Sequence, residues 1–424
     1  MDLILRQGRI IDPAQGLDLI ADLAIDGGRV AEIAPHIAAR GTREIDCAGL
    51  IVAPGFIDMH VHLREPGREE AETIESGTRA AARGGFTAVA CMPNTRPVND
   101  SPETTAFILE RARAAASVPV HPIGAVTAGS RGETLVDIGR MQQAGVVALS
   151  DDGQPVQNSG LMKRAMEIAR SFDLPVIDHC EDRDLAAGGC MNEGPLAARL
   201  GLRGISGAAE EVQVARDAVL ARLTGARVHI AHISTRHSLE TVRHARAQGT
   251  LITCEVTPHH LLLSEDCVSR CGANAKMNPP LRTQADAESL AAGLAAGDID
   301  VIATDHAPHT AKDKESGMER APFGIVGLET AVGLIYDRLV RPGTLTLTRM
   351  VEAFALNPAR ILGLARGTLK PGVSADITVI DPNLSWEVRS GEFLSRGRNT
   401  PFDGWKLQGG PALTIVAGRV VWPA

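Results

Sequence analysis

Two histidines stand one residue apart in Asp58-Met59-His60-Val61-His62. Residues i and i+2 of a β-strand point to one face, about 7 Å apart along it. On a strand, both imidazoles can therefore grip one divalent cation. Four more polar clusters each close a short apolar run: Ser150-Asp151-Asp152-Gly153, Asp178-His179-Cys180-Glu181, Ala231-His232-Ile233-Ser234 and Thr304-Asp305-His306-Ala307-Pro308-His309. Imidazole nitrogens and carboxylate oxygens suit zinc and similar ions. His60, His62 and Asp305 can hold one ion, His179 and His232 a second, and Asp151 can bridge the two. Singly, each residue has an ordinary reading: a core histidine satisfied by backbone, or Asp151 as a helix N-cap. Five such clusters, each at the end of an apolar run, favour a metal centre. A centre of this kind lowers the pKa of bound water and polarises a carbonyl, which is hydrolytic chemistry. Asp305, beside the metal, can take a proton from the attacking water and return it to a leaving nitrogen. No Gly-x-Ser-x-Gly turn is present, and Cys180 has no base other than a histidine already in the metal set.

Other side chains near the same run ends speak to the substrate. Arg64 lies two positions past His62, Asn94 follows the second apolar run in Met92-Pro93-Asn94-Thr95, and His309 lies just beyond the last. A guanidinium, an amide and an imidazole around a metal pocket suit a small anion, because guanidinium pairs with carboxylate bidentately. The plainer role for Arg64 is a rim salt bridge with Glu65 or Glu69.

These residues need a scaffold that gathers distant run ends. Strand candidates fall at 50–63, 86–94, 120–127, 146–152, 175–180, 227–234, 251–257 and 301–306. Helical stretches rich in Ala, Arg, Glu and Leu separate them, among them 70–83, 103–116, 160–172, 208–224 and 238–248. Eight strands alternating with helices call for a parallel sheet, closed as a (β/α)8 TIM-type barrel of the α/β class. An open doubly wound sheet is the rival, but its strand ends one, four, five, six and eight do not converge. Both chain ends read instead as short strands with turns, including Asp26-Gly27-Gly28 and a hairpin around Ala417-Gly418. Residues 1–53 plus 368–424 are therefore expected to form a small β-sandwich-like domain, and 54–367 the barrel. The charged stretch 309–324, with Gly317 and Gly324, follows the eighth strand and is expected to be a mobile loop beside the site.

The bulk properties narrow the class. The chain has 424 residues, a net charge of −8 and only 12 aromatic residues, which argues against a nucleic-acid surface. No apolar run approaches a membrane span, and the start lacks the apolar core of a signal peptide. Seven irregularly spaced cysteines fit a reduced, cytoplasmic setting. Cys267-x3-Cys271 is half of a zinc-site pattern, but no second pair follows at suitable spacing.

Taken together, Asp58-Met59-His60-Val61-His62-Leu63-Arg64-Glu65-Pro66-Gly67, Met92-Pro93-Asn94-Thr95 and the four clusters above resemble the dihydroorotases of the cyclic amidohydrolase superfamily, in their bacterial multifunctional-type class. The resemblance covers essentially the whole chain. It implies reversible cyclisation of N-carbamoyl-L-aspartate to L-dihydroorotate in pyrimidine synthesis, with one or two Zn2+ per subunit. It further implies His60, His62 and Asp305 on one zinc, His179 and His232 on the other, Asp151 bridging, and Asp305 as acid/base. Arg64, Asn94 and His309 would bind the substrate carboxylate, Asn278 would contact the ring, and the backbone at Phe323-Gly324 would close over it. Many superfamily members bridge their metals with a carboxylated lysine; none of the six lysines here ends a barrel strand. Related allantoinases and hydantoinases share the His-x-His pair but usually lack an arginine placed like Arg64. The competing functions are such a cyclic amidase, or an inactive scaffold subunit of aspartate carbamoyltransferase. A homodimer, and a complex of the active enzyme with that transferase, are family-level expectations.

Overall fold

The apolar runs of the middle segment form short parallel strands buried along their length, the pattern of a sheet covered on both faces. The computed structural model describes residues 1–38 and 41–423. Phe56–Val61, Phe86–Cys91 and Val120–Pro122 pair in that order, and Val176–Asp178, Val228–Ile230, Ile252–Val256 and Val301–Ile302 pair in a second set. Parallel bridges Gly124↔Leu149 and Leu149↔Val176 link the two sets through residues 146–152, and Val61↔His306 links the last segment to the first. The strand expected over 146–152 is thus reduced to bridges at Leu149. The one expected over 120–127 stops at Pro122, because beyond it the backbone turns to serve a carboxylate described below.

The continuous strand expected over 50–63 is two strands. Ile51–Pro54 belongs to a different sheet, and Phe56–Val61 begins the parallel set. Gly55 is the joint, where an added Cβ would lie 2.1 Å from Thr87 Oγ1. Only glycine lets the two sheets approach this closely.

Helices alternate with the parallel strands as expected, among them Ile74–Arg83, Pro102–Ala115, Ser159–Ser171, Gly207–Thr224 and Arg236–Ala247. Their starts are chemically marked. Thr73 and Ser76 form a capping box, Ser101 caps a helix with Pro at its first position, and Asn158 caps the next. Each such cap is worth about 1 kcal/mol. No described helix is long and apolar enough to cross a membrane.

Both termini build one mixed sheet. Its order is Arg419–Trp422, Lys406–Val416, Ile377–Glu387, Ile51–Pro54, Leu3–Asp12, Leu17–Asp26 and Arg29–Ala34, with Arg43–Asp46 also paired to Leu3–Asp12. Gly27 and Gly28 both adopt positive φ in the tight hairpin that pairs Asp26 with Arg29, as a type I′ turn demands. The sheet has its own apolar cluster, including Leu5, Ile10, Leu23, Val52, Ile377 and Ile415. A separate cluster of Met59, Ala90, Ile123, Ala148, Ile177, Ala231 and Val301 lies between the parallel segments.

Candidate active site

The side chains that could bind metal leave the C-terminal ends of the parallel strands. His60 sits on Phe56–Val61 and His62 just past it, with ring centroids 5.5 Å apart. His179, His232 and Asp305 follow Val176–Asp178, Val228–Ile230 and Val301–Ile302. Arg64, His232 and Asp305 have φ of 59°, 32° and 46°. Such left-handed backbone is uncommon for residues with a Cβ and collects at functional sites.

One residue expected at the site lies apart from it. Asp151 faces away from the histidines. Its carboxylate accepts from Val126 N at 2.8 Å, Thr127 N at 3.1 Å and the Thr127 hydroxyl. It thereby folds the segment after Val120–Pro122. Asp152 takes the central place. Its Oδ1 lies 3.4 Å from His60 Nε2, 3.7 Å from His179 Nδ1 and 3.8 Å from His232 Nε2, and its Oδ2 lies 3.6 Å from His62 Nε2. Adjacent residues of an extended segment face opposite ways, so a one-residue shift exchanges the two carboxylates.

With Asp152 in the place expected of Asp151, the other expected residues converge. Three overlapping sets of buried groups have their ligand atoms within 4.8 Å: His60/His232/Asp305, His60/His62/Asp152 and Asp152/His179/His232. Asp305 Oδ1 lies 2.9 Å from His62 Nε2 and 3.3 Å from His60 Nε2. His60 Nε2 and Asp152 Oδ1 are buried without a hydrogen-bond partner. Buried polar atoms are rarely left so. Two of them, aimed at each other among four imidazoles and two carboxylates, fit a divalent cation.

Comparison with known proteins places this geometry. The family model described as Dihydro-orotase-like matches residues 49–238. A dihydroorotase from Solibacter usitatus is 53% identical over 422 residues, covering 100% of this chain and 98% of the relative. One from Pelotomaculum thermopropionicum is 52% identical over 99% of this chain and 98% of its own length. The chain belongs to the dihydroorotase family. Among solved structures, an L-hydantoinase (dihydropyrimidinase) from Arthrobacter aurescens superposes with a TM-score of 0.90 at 27% identity, over 99% of this chain and 95% of the other. A Thermus sp. D-hydantoinase does so with a TM-score of 0.86 at 27% identity, over 99% and 94%. The chain is accordingly an enzyme of the cyclic amidohydrolases, with the α/β fold of that group.

In this dihydroorotase-family site a second layer holds the first, and the sequence reading missed its main member. Glu255, buried on Ile252–Val256, accepts from His60 Nδ1 at 2.5 Å, His229 Nε2 at 3.2 Å and His232 N at 3.2 Å. A carboxylate behind a ligating histidine fixes the ring and raises its basicity. The only available signal was one glutamate in the otherwise apolar run Ile252-Thr253-Cys254-Glu255-Val256. Burial disfavours charge on Glu255, yet His60 and His229 hold it well below the usual carboxylate range. Asp58 accepts from Thr304 N and Oγ1 and from His60 N, tying the first parallel strand to the last. Asn94 accepts from His62 Nδ1 at 2.8 Å and donates to Asp152 at 3.1 Å.

The remaining expected residues border a cavity of about 280 Å³. It is lined by His62, Arg64, Asn94, Asn278, His309 and Phe323 together with Asp152, Asp305, His179 and His232. Asn278 Nδ2 donates to Glu181 at 2.7 Å and lies 3.3 Å from His179 Nε2. His309 Nε2 bonds Phe323 O at 2.7 Å; burial and Arg64 push this imidazole down to about 2, so it is neutral. Gly324 does not line the cavity. Its N–H donates to Lys276 O, and its carbonyl accepts from Lys314 Nζ and Asn399 Nδ2. Its φ of 153° and the 2.5 Å from a virtual Cβ to Ala307 O explain the glycine. Arg64 is buried, donates to Pro308 O at 3.2 Å and lies 3.4 Å from His309 Nε2. Among the described residues no carboxylate pairs with it. Burial and Arg68 lower it to about 10, so it remains a cation at neutral pH.

Proposed function

We propose that this chain catalyses the reversible cyclisation of N-carbamoyl-L-aspartate to L-dihydroorotate, the ring-closing step of de novo pyrimidine synthesis. One observation carries the choice of substrate: a buried, unpaired guanidinium faces a cavity floored by the histidine–aspartate cluster. A buried charge without a partner is costly, and a substrate carboxylate supplies one. Neutral hydantoin or dihydropyrimidine rings do not.

The residues take the following parts. His60, His62, Asp152, His179, His232 and Asp305 would hold one or two zinc ions, with Asp152 lying near all four imidazoles. Bound there, zinc supplies Lewis acidity toward water and toward the ring carbonyl. Arg64 and His309 orient the substrate carboxylate, Asn94 sets the His62 ring and Asp152, and Asn278 reaches the ring. In hydrolysis the ring C–N bond breaks as a water oxygen bonds to the carbonyl carbon. Asp305 takes the proton from that water and gives it to the departing nitrogen. In synthesis the same carboxylate takes the proton from the carbamoyl nitrogen and returns it to the departing oxygen. Burial opposes charge on Asp305, while the neighbouring His60 and His62 lower it below the ordinary carboxylate value.

The scaffold in this reading is a closed (β/α)8 barrel over 54–367, with residues 1–53 and 368–424 forming the small β domain. The ring of parallel pairings and the cluster drawn from Met59, Ala90, Ile123, Ala148, Ile177, Ala231 and Val301 support it. A homodimer and association with aspartate carbamoyltransferase extend the proposal. Elution as a monomer, apart from the transferase, would remove both.

The deciding experiment is dihydroorotate hydrolysis by the purified chain, with metal content measured on the same sample. Turnover that disappears on chelation and returns with zinc supports the reading. A zinc-loaded, folded sample that turns over hydantoin but not dihydroorotate overturns it.

A further inference from the structure

We propose that Cys267 and Cys271 form an oxidisable dithiol that closes to a disulfide by exchange with a small-molecule disulfide and thereby shifts one wall of the active site. The two residues begin and end the single helical turn Cys267–Cys271, and their Sγ atoms lie 3.5 Å apart. Residues i and i+4 of a helix share a face, with Cα atoms roughly 6 Å apart, inside the range a disulfide spans, and Cβ atoms about 5–6 Å apart that must close to about 4 Å by unwinding the turn. Closure therefore asks for a movement of roughly 1.5 Å between the sulfurs. Gly272 follows immediately with φ 51° and no atom near its missing Cβ, so the chain has room to give there.

The two thiols are not equivalent. Cys267 is buried in an apolar cluster with Met191, Leu263 and Phe402, and burial pushes it up to about 12. Cys271 is half-buried and lines a cavity of about 250 Å³ that also touches His309, Lys314, Arg398 and Asn399. Exchange starts at Cys271. Its thiolate attacks the small disulfide, one thiol leaves, and a mixed disulfide forms. Cys267 then loses its proton and displaces the second thiol. In sum, two protein thiols are oxidised to one disulfide, and one small disulfide is reduced to two thiols.

The turn connects to the site through few residues. Gly272–Ala275 leads into Lys276, whose carbonyl accepts from Gly324 N at 3.0 Å and from Lys314 Nζ at 3.4 Å. Lys276 Nζ sits 4.5 Å over the Phe323 ring, and Asn278 is two residues on. A pull on Cys271 thus reaches both Phe323 and Asn278.

The test equilibrates the full, metal-loaded chain with a glutathione/glutathione-disulfide series and reads it by peptide mass spectrometry. The expected product has lost two hydrogens and carries a Cys267–Cys271 link that dithiothreitol reverses. Cys267→Ser is expected to trap glutathione on Cys271. A parent chain that retains glutathione on Cys271 without a link, or that does not react at either cysteine, overturns the dithiol. The linked protein is expected to show at least a twofold change in KM for dihydroorotate, absent in Cys271→Ser given the same treatment. An unchanged KM overturns the coupling, whatever the outcome for the link.

Discussion

Glu255 Oε1 lies 2.5 Å from Nδ1 of His60, and the opposite nitrogen of that ring points at Asp152 and Asp305. The carboxylate therefore selects the tautomer with the proton on Nδ1 and leaves Nε2 bare for a cation. Its second oxygen serves His229, and its first also serves the backbone of His232. One side chain on Ile252–Val256 thus supports two clusters' worth of histidines. Glu255→Gln keeps the shape and loses the charge. The variant is expected to remain folded and to bind zinc roughly 10–100-fold more weakly, as measured by competition with a chromogenic chelator. Unchanged affinity would refute the support role.

The adjacent aspartates are expected to separate metal binding from folding. Asp152→Asn is expected to lose metal while keeping its melting temperature near that of the metal-free parent. Asp151→Asn is expected to keep the metal set but lose about 1–3 kcal/mol of stability, because the amide oxygen still accepts from Val126 N and Thr127 N but the NH2 group replaces the acceptor of the Thr127 hydroxyl and the charge is lost. Metal analysis and chemical denaturation of both variants check this. Metal loss in Asp151→Asn with Asp152→Asn unaffected would reverse the assignment.

That pair also shows where sequence reasoning stops. The histidines were legible because His60 and His62 share a face by strand period, and because His179, His232 and Asp305 each follow an apolar run. Asp151 and Asp152 sit side by side after a run whose ladder is reduced to bridges at Leu149, so strand period could not say which one turns inward. Glu255 was invisible for a related reason: a lone charge inside an apolar run gains meaning only from His60 and His229, which are distant in sequence. The break at Gly55 was equally hidden, since Ile51–Pro54 and Phe56–Val61 read as one extended stretch and only the approach of Thr87 divides them.

On the proposed reading, Arg64 sets the preference for an anionic substrate. Arg64→Met keeps much of the apolar stem and removes the cation. Loss of a buried charge pair with the substrate carboxylate is worth about 3 kcal/mol, or roughly 100-fold in kcat/KM for dihydroorotate. The loss is expected chiefly in KM, with zinc content unchanged. Equal kinetics in parent and variant would place the carboxylate elsewhere.

Lys314 supplies a pH dependence of stability whose sign is fixed. Its Nζ lies 3.0 Å from the carbonyl of Pro322, 2.9 Å from that of Gly324 and 3.4 Å from that of Lys276, against the 309–324 segment. Burial, with Lys276 nearby, lowers it from 10.5 to about 7. Between those values the unfolded chain carries the proton and the folded chain does not, so stability rises with pH across that window. Below pH 7 both states are protonated, and the full cost of burying the ammonium, a few kcal/mol, is present without further change. Lys314→Met removes the titration. The difference in unfolding free energy between parent and variant, measured in denaturant at pH 6 to 10, is therefore expected to be flat near pH 6 and to move in the parent's favour as pH rises from 7 to 10. A difference that is constant over the whole range would mean that Lys314 keeps its ordinary value in the fold.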